Sequence, residues 1–339
     1  MQLSEFDFPF DPVLVASQPI VPRDQARLLV LDRSTGQLRH QHVSDLPRLL
    51  EPGDLLVVND TKVLAARVTG RKQPAGTAVE VLFVKDCGDH VWDVMMKGTY
   101  RIGQVIEFAA GARATILRRD ATGTQVKVDS AVPVRQLLEE QGEMPLPPYI
   151  KRASTTDDRR WYQTLFARHE GAIAAPTAGL HFTPSLVSQL NMRGVRIATV
   201  TLHVGPGTFQ PVSTERIEDH HMGEEAFSIS GDAAEAITQT KQAGHRVVAV
   251  GTTVVRALET VAQVAGSVTP LSGQSRLFIR PGFEFKVVDA LLTNFHLPRT
   301  TLLMLVAAFA DIASVRRTYQ EAVEARYRFY SYGDAMFIV

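Results

Sequence analysis

Residues 232–264 read DAAEAITQTKQAGHRVVAVGTTVVRALETVAQV. Asp232 to Ala243 has the make-up of a helix and is stopped by Gly244. Arg246 to Val250 is a short apolar strand, and a second helix runs from Thr252 to about Val264. Helix, strand and helix in succession predict a largely parallel α/β sheet. The pattern extends both ways. Upstream, Thr183 and Pro184 supply a cap and a first-turn proline for a helix that Gly194 closes, and Val195 to Leu202 follows as a strand. Downstream come a strand at Arg276 to Ile279, helices over Thr300 to Phe309 and Arg316 to Arg326, and a closing strand from Ala335 to Val339.

The opening third is different. Arg27 to Leu31 and Gln37 to Val43 flank the turn Ser34-Thr35-Gly36 and predict a hairpin. Asp54 to Val58 is a further strand. Between Leu64 and Val128, six short β-type runs are separated by glycines: Leu64–Val68, Ala78–Val84, His90–Met96, Gln104–Phe108, Ala112–Leu117 and Thr124–Val128. Closely spaced strands with Gly-rich turns predict a small barrel or sandwich. A short helix over Pro133 to Gly142 and the proline-rich Met144 to Tyr149 return the chain. The expected architecture is α/β: a mainly parallel sheet flanked by helices, formed by 1–61 and 152–339. A small β-barrel domain with its return linker, 62–151, is inserted into it.

Lys+Arg and Asp+Glu both number 36, so no global field points to a nucleic acid and any such surface must be local. Basic clusters occur at Arg67, Arg71 and Lys72, at Arg118 and Arg119, at Lys151 and Arg152, and at Arg159 and Arg160. A single cysteine, Cys87, excludes an internal disulfide and a cysteine-built metal site. Met1 to Phe10 lacks a basic leader pattern, and the longest apolar run, Leu302 to Ala310, is far short of the ~20 residues of a membrane span. A reducing, cytoplasmic setting is expected.

Several apolar strands end in polar, glycine-containing groups. Val58 gives way to Asn59-Asp60-Thr61-Lys62, Leu202 to His203-Val204-Gly205-Pro206-Gly207-Thr208-Phe209, and Val250 to Gly251-Thr252-Thr253. Open α/β sheets bind ligands at the carboxyl ends of their strands, so these groups are candidates to share one crevice. Gly251-Thr252-Thr253 suits an anion at a helix N-terminus, or Thr252 simply caps that helix. The glycines at 205 and 207 are no dinucleotide fingerprint, because Phe209-Gln210-Pro211 interrupts any following helix. His220, His221 and Glu225 lack metalloprotease spacing, and no metal is expected.

Six ordered segments give these groups a context: Val57–Val63 with Ala66-Arg67, Ala175–Thr183, Thr201–Phe209, Val250–Thr253 with Arg256–Glu259, Thr293–Pro298, and Tyr327–Asp334. Together they resemble the S-adenosylmethionine:tRNA ribosyltransferase-isomerase family of queuosine biosynthesis, across nearly the whole chain. Where that family's glycine-rich segment reads G-L-G-T-F-R-P, this chain has Pro206 and Gln210. Where its next loop reads H-x-M-H-S-E, the second histidine is Gly223, and the usual serine after the GTT motif is Val254.

The resemblance implies an α/β domain plus a β-barrel domain, no metal, no tightly bound cofactor, and S-adenosylmethionine as co-substrate. Its ribosyl group would pass to 7-aminomethyl-7-deazaguanine at the tRNA wobble position and isomerise to give epoxyqueuosine, releasing adenine and methionine. It also implies a monomer.

Such a reaction needs a base for the C5′ hydrogen that the sulfonium acidifies, and an acid for the departing adenine. His181, His203 and His296 are the candidates for proton transfer. Their alternative role is to orient loops. Asp60 and Glu225 are candidates to steady positive charge. Arg256 and the amides at 252–253 are candidates for the methionine carboxylate, and Phe209, Phe295 and Tyr327 for stacking. Asn59, Thr61, Lys62, Thr177, Gly179, Gly205, Gly207, Thr208, His220, Asn294 and Ser331 complete the expected substrate contacts. Arg67, Lys72 and Lys151 are the expected phosphate contacts for an anticodon loop with its wobble base unstacked. An S-adenosylmethionine-dependent RNA methyltransferase and a non-catalytic RNA-binding module are the rival readings.

Overall fold

The computed structural model describes residues 1–120, 123–205 and 212–339. Its larger part is a nine-stranded sheet. In spatial order the strands are Leu271–Ser275, Glu225–Ile229, Arg196–Leu202, Leu55–Asn59, Val247–Val250, Ala290–Asn294, Ala335–Ile338, Arg27–Leu31 and Leu38–His42. The expectation of a mainly parallel sheet is corrected: the sheet is mixed. Four central strands, from Arg196–Leu202 to Ala290–Asn294, run parallel to one another. Ala335–Ile338 enters antiparallel to Ala290–Asn294 and parallel to Arg27–Leu31. Both outer margins turn back antiparallel.

Alternate residues of Arg27–Leu31 divide between two cores, because successive side chains point to opposite faces. Leu29 and Leu31 pack with helices Gly231–Gln242, Thr252–Ala265, Thr301–Ala310 and Ile312–Glu324. Leu28 and Val30 pack with Leu46, Leu186 and Leu190 on the other face. Thr183 accepts a hydrogen bond from the Leu186 amide at 3.1 Å, as its cap position predicts.

The smaller part is a closed barrel of six antiparallel strands, in the order Gly123–Asp129, Val91–Met96, Thr77–Asp86, Arg67–Lys72, Val105–Glu107 and Arg113–Asp120. Val68, Val81, Phe83, Trp92, Ile106, Ile116 and Val126 fill it. Gly70 is required inside, since a Cβ there would lie 2.6 Å from Ile106. Three strand expectations shift. Leu64–Val68 separates into Thr61–Val63, which pairs with His169–Ala172, and the barrel strand from Arg67. The strand expected at Arg276–Ile279 lies instead at Leu271–Ser275, an exposed edge without an apolar signature. Glu225–Ile229, to which the sequence pattern assigned no element, is a strand.

Candidate active site

A cleft open to solvent lies at the carboxyl ends of the parallel strands. Val250 leads into Gly251, whose φ of 95° favours glycine and turns the chain into helix Thr252–Ala265. Gly251 holds the cap position and no side chain caps the helix, so Thr252 is not its cap. The amides of Val254 and Val255 already bond to the Gly251 carbonyl, which leaves those of Thr252 and Thr253 at the cleft wall. Ala290–Asn294 delivers Asn294 and His296 to the same cleft, and Thr177 and Ser331 join from separate loops.

Two tyrosines complete it. Tyr149 and Tyr330 stack with centroids 4.5 Å apart, and the Tyr149 hydroxyl lies 2.6 Å from Ser331 Oγ. The sequence reading assigned Tyr149 only to the linker; its place after two prolines, in extended chain, was the available signal. The remaining walls are apolar: Ala175, Ala178, Val204, Leu297 and Leu302. No charged side chain lines the cleft among the described residues.

The three candidate histidines occupy different settings. His296 lines the cleft, with Nε2 2.9 Å from Thr293 Oγ1 and its amide donating to the Tyr319 hydroxyl at 3.0 Å. Burial alone pushes its pKa down to about 3. His181 sits behind the wall, 3.2 Å from the Asn294 side-chain nitrogen. Burial and then the nearby Arg23 charge push it down to about 4. His203 is outside the cleft lining. Its Nδ1 lies 2.8 Å from Thr61 Oγ1, and Gly171 makes room for the ring, since a Cβ there would be 2.9 Å from it. Its pKa is lowered by burial, then by neighbouring His169.

Asp60 belongs to that second group rather than to the cleft. It accepts from Thr201 Oγ1 at 2.7 Å and faces His169 at 3.7 Å. Asn59 is a structural knot. Its amide donates to the Leu202 carbonyl and to Thr253 Oγ1, while its oxygen accepts from the Leu202 and Thr61 amides, all within 3.2 Å. Saturated in this way, Asn59 fixes two strand ends to the helix start and has no capacity left for a ligand.

Other expected contacts are also drawn elsewhere. Glu225 and Arg256 form a buried ion pair, and Gly205 donates to Glu225 at 3.4 Å. Lys62 pairs with Glu170 at 2.8 Å. His220 packs against Phe278. The Phe295 and Tyr327 rings are fully buried, with centroids 5.5 Å apart; Phe295 borders the cleft, and Tyr327 does not. Gly179 is buried against Thr164. Gly207, Thr208 and Phe209 lie outside the described residues. Among the described residues no His, Cys, Asp and Glu group is arranged to hold a metal ion.

On the barrel side, Arg67 is held by the Leu146 carbonyl at 3.0 Å and by Glu80 at 3.4 Å. Lys72 is partly exposed and reaches the Thr99 carbonyl at 2.8 Å. Lys151 is exposed.

Loops from five of the six ordered segments meet in one hollow, and Val57–Val63 lies outside its lining. The family described as queuosine biosynthesis protein matches residues 3–338. The chain belongs to that family. Within the queuosine biosynthesis family it is similar to the S-adenosylmethionine:tRNA ribosyltransferase-isomerases of Desulforamulus reducens, at 47% identity, and Pelobacter propionicus, at 48%. Each likeness covers 100% of both chains. It is also similar to the crystal structure of an S-adenosylmethionine tRNA ribosyltransferase from Thermotoga maritima. That match has 36% identity and a TM-score of 0.57, and covers 99% of this chain and 100% of the other. No helix among the described residues is long and apolar enough to cross a membrane.

Proposed function

We propose that the chain is an S-adenosylmethionine:tRNA ribosyltransferase-isomerase. It moves the ribosyl group onto 7-aminomethyl-7-deazaguanine in tRNA and isomerises it, giving epoxyqueuosine and releasing adenine and methionine. The observation that carries this reading is end-to-end identity of 47–48% with relatives bearing that name. An uncharged, mostly apolar cleft at strand ends fits the nucleoside part of such a donor.

Within this reading the Thr252 and Thr253 amides take the methionine carboxylate, where the helix start favours an anion. The tyrosine pair offers a π-face to the sulfonium. His296 is the proton-transfer residue, being the candidate histidine that lines the cleft. Burial keeps it unprotonated, the form that can take a proton, while lowering its basicity. His203 and Asp60 act from the neighbouring polar group. Lys72 and Lys151 meet RNA phosphate, with Arg67 holding the return linker in place. The chain divides into 1–61 with 152–339, and 62–151, and works as a cytoplasmic monomer without a bound cofactor.

Incubating the purified protein with S-adenosylmethionine and tRNA carrying the aminomethyl base should release adenine and methionine, followed by chromatography. Release of S-adenosylhomocysteine with methylated RNA would establish the methyltransferase instead. RNA binding with the donor left intact would establish the binding module.

A further inference from the structure

Asn294 is 2% exposed, and its two ends have unequal fates. The nitrogen donates to the Tyr330 carbonyl at 3.0 Å and lies 3.2 Å from His181 Nε2. Reversing the amide would set its oxygen against that carbonyl, so the orientation is fixed by its neighbours. His181 is fixed in turn. Its other contact is with the Arg23 backbone, and its lowered pKa keeps it neutral. The ring therefore carries its hydrogen on Nδ1 and accepts from Asn294 at Nε2. The consequence lies at Asn294 Oδ1, which is buried, belongs to a cleft-lining residue and has no hydrogen-bond partner among the described residues. The Tyr330 hydroxyl, on another lining residue, is likewise buried and without a partner. Burial raises its pKa, so it stays a donor.

A buried carbonyl oxygen without a donor is destabilising, and a fold retains one where a ligand supplies the missing hydrogen. The ligand group must be an N–H or O–H. An ammonium would call for a carboxylate, and none lines the cleft among the described residues. A neutral amino group on a flat heterocycle fits an uncharged acceptor between apolar walls and stacked tyrosines. An amino group beside a ring nitrogen offers one donor and one acceptor, the complement of an amide oxygen and a phenol.

We propose that Asn294 Oδ1 accepts the exocyclic amino group of the donor's adenine, and that His181 is a positioning residue that keeps the amide turned toward it. This rests on the donor being S-adenosylmethionine, as proposed above. The test compares S-adenosylmethionine with its analogue carrying unsubstituted purine in place of adenine, by donor KM and kcat and by equilibrium binding.

The wild-type protein should prefer the natural donor by about 10-fold or more, the range expected for one buried hydrogen bond. Asn294→Ala should weaken the natural donor and erase the preference. His181→Leu should lower the preference through donor KM, and His181→Gln, whose side-chain oxygen can still accept from Asn294, should restore it. A purely structural role for His181 would leave the ratio between the two donors unchanged. Equal use of both donors by the wild-type protein would overturn the assignment without needing any variant to fold, as would a preference that survives in Asn294→Ala. Failure of the wild-type protein to use or bind S-adenosylmethionine at all would overturn the functional reading itself.

Discussion

Acidification from about pH 7.5 to about pH 5 should destabilise the protein through two histidines that its fold keeps neutral. An unfolded histidine titrates near ~6.5, whereas burial sets His296 at about 3 and His181 at about 4. Below ~6.5 the unfolded chain takes up protons that the native chain refuses, so the folded state loses ground as pH falls toward those lower values. At about pH 5 the unfolded state has gained roughly 1.5 pH units of proton binding at each site. That corresponds to about 2 kcal/mol per histidine. Urea unfolding at both pH values, on the wild-type chain and on His296→Gln, isolates one of them. Carboxylates and His181 titrate alike in both proteins and cancel, so the loss on acidification should be about 2 kcal/mol smaller in the variant. An equal loss in the two proteins would refute the claim that His296 is neutral and buried in the native state.

Asn59→Ala should destabilise by about 2–4 kcal/mol, because it strips partners from the buried Leu202 and Thr61 amides; urea or thermal unfolding reads this directly, and a loss below about 0.5 kcal/mol would contradict the knot. Lys151→Glu should weaken tRNA binding and reduce the slope of log affinity against log salt by about 1, with thermal stability unchanged; an unchanged slope in a filter-binding titration would move the RNA elsewhere.

Much of the α/β half was legible because its caps and glycine stops are local signals. Thr183, Gly194 and Gly244 each act within a few residues of their own position. The barrel followed from strand length and turn spacing. Strand direction was not legible at the sheet margins. Nothing within Ala335–Ile338 reveals that it enters beside Ala290–Asn294 from the opposite end. Leu271–Ser275 was missed because an edge strand exposed along most of its length carries no alternation.

Motif position singled out Asn294, His296, Thr252 and Ser331, which the fold brings to one cleft, since polar residues following buried strands have few places to go. The same reasoning put Asn59, Lys62 and Tyr327 among the ligand contacts, whereas the fold engages each of them away from the cleft. Whether a polar or aromatic residue is free for a ligand depends on partners more than a hundred residues away, such as Leu202 for Asn59 and Glu170 for Lys62. Tyr149 was overlooked for the converse reason, because a proline-rich connection reads as a spacer until its partner Tyr330 is seen.

The stacking of Tyr149 on Tyr330 joins the connection leaving the barrel to a loop near the end of the chain, 181 positions further on. One plate of the cleft is therefore contributed by the segment that tethers the smaller lobe. Excising that lobe to obtain a minimal enzyme would take the plate with it, and transplanting it from a homologue would have to bring a matching tyrosine seat. The two lobes are interchangeable only as a pair.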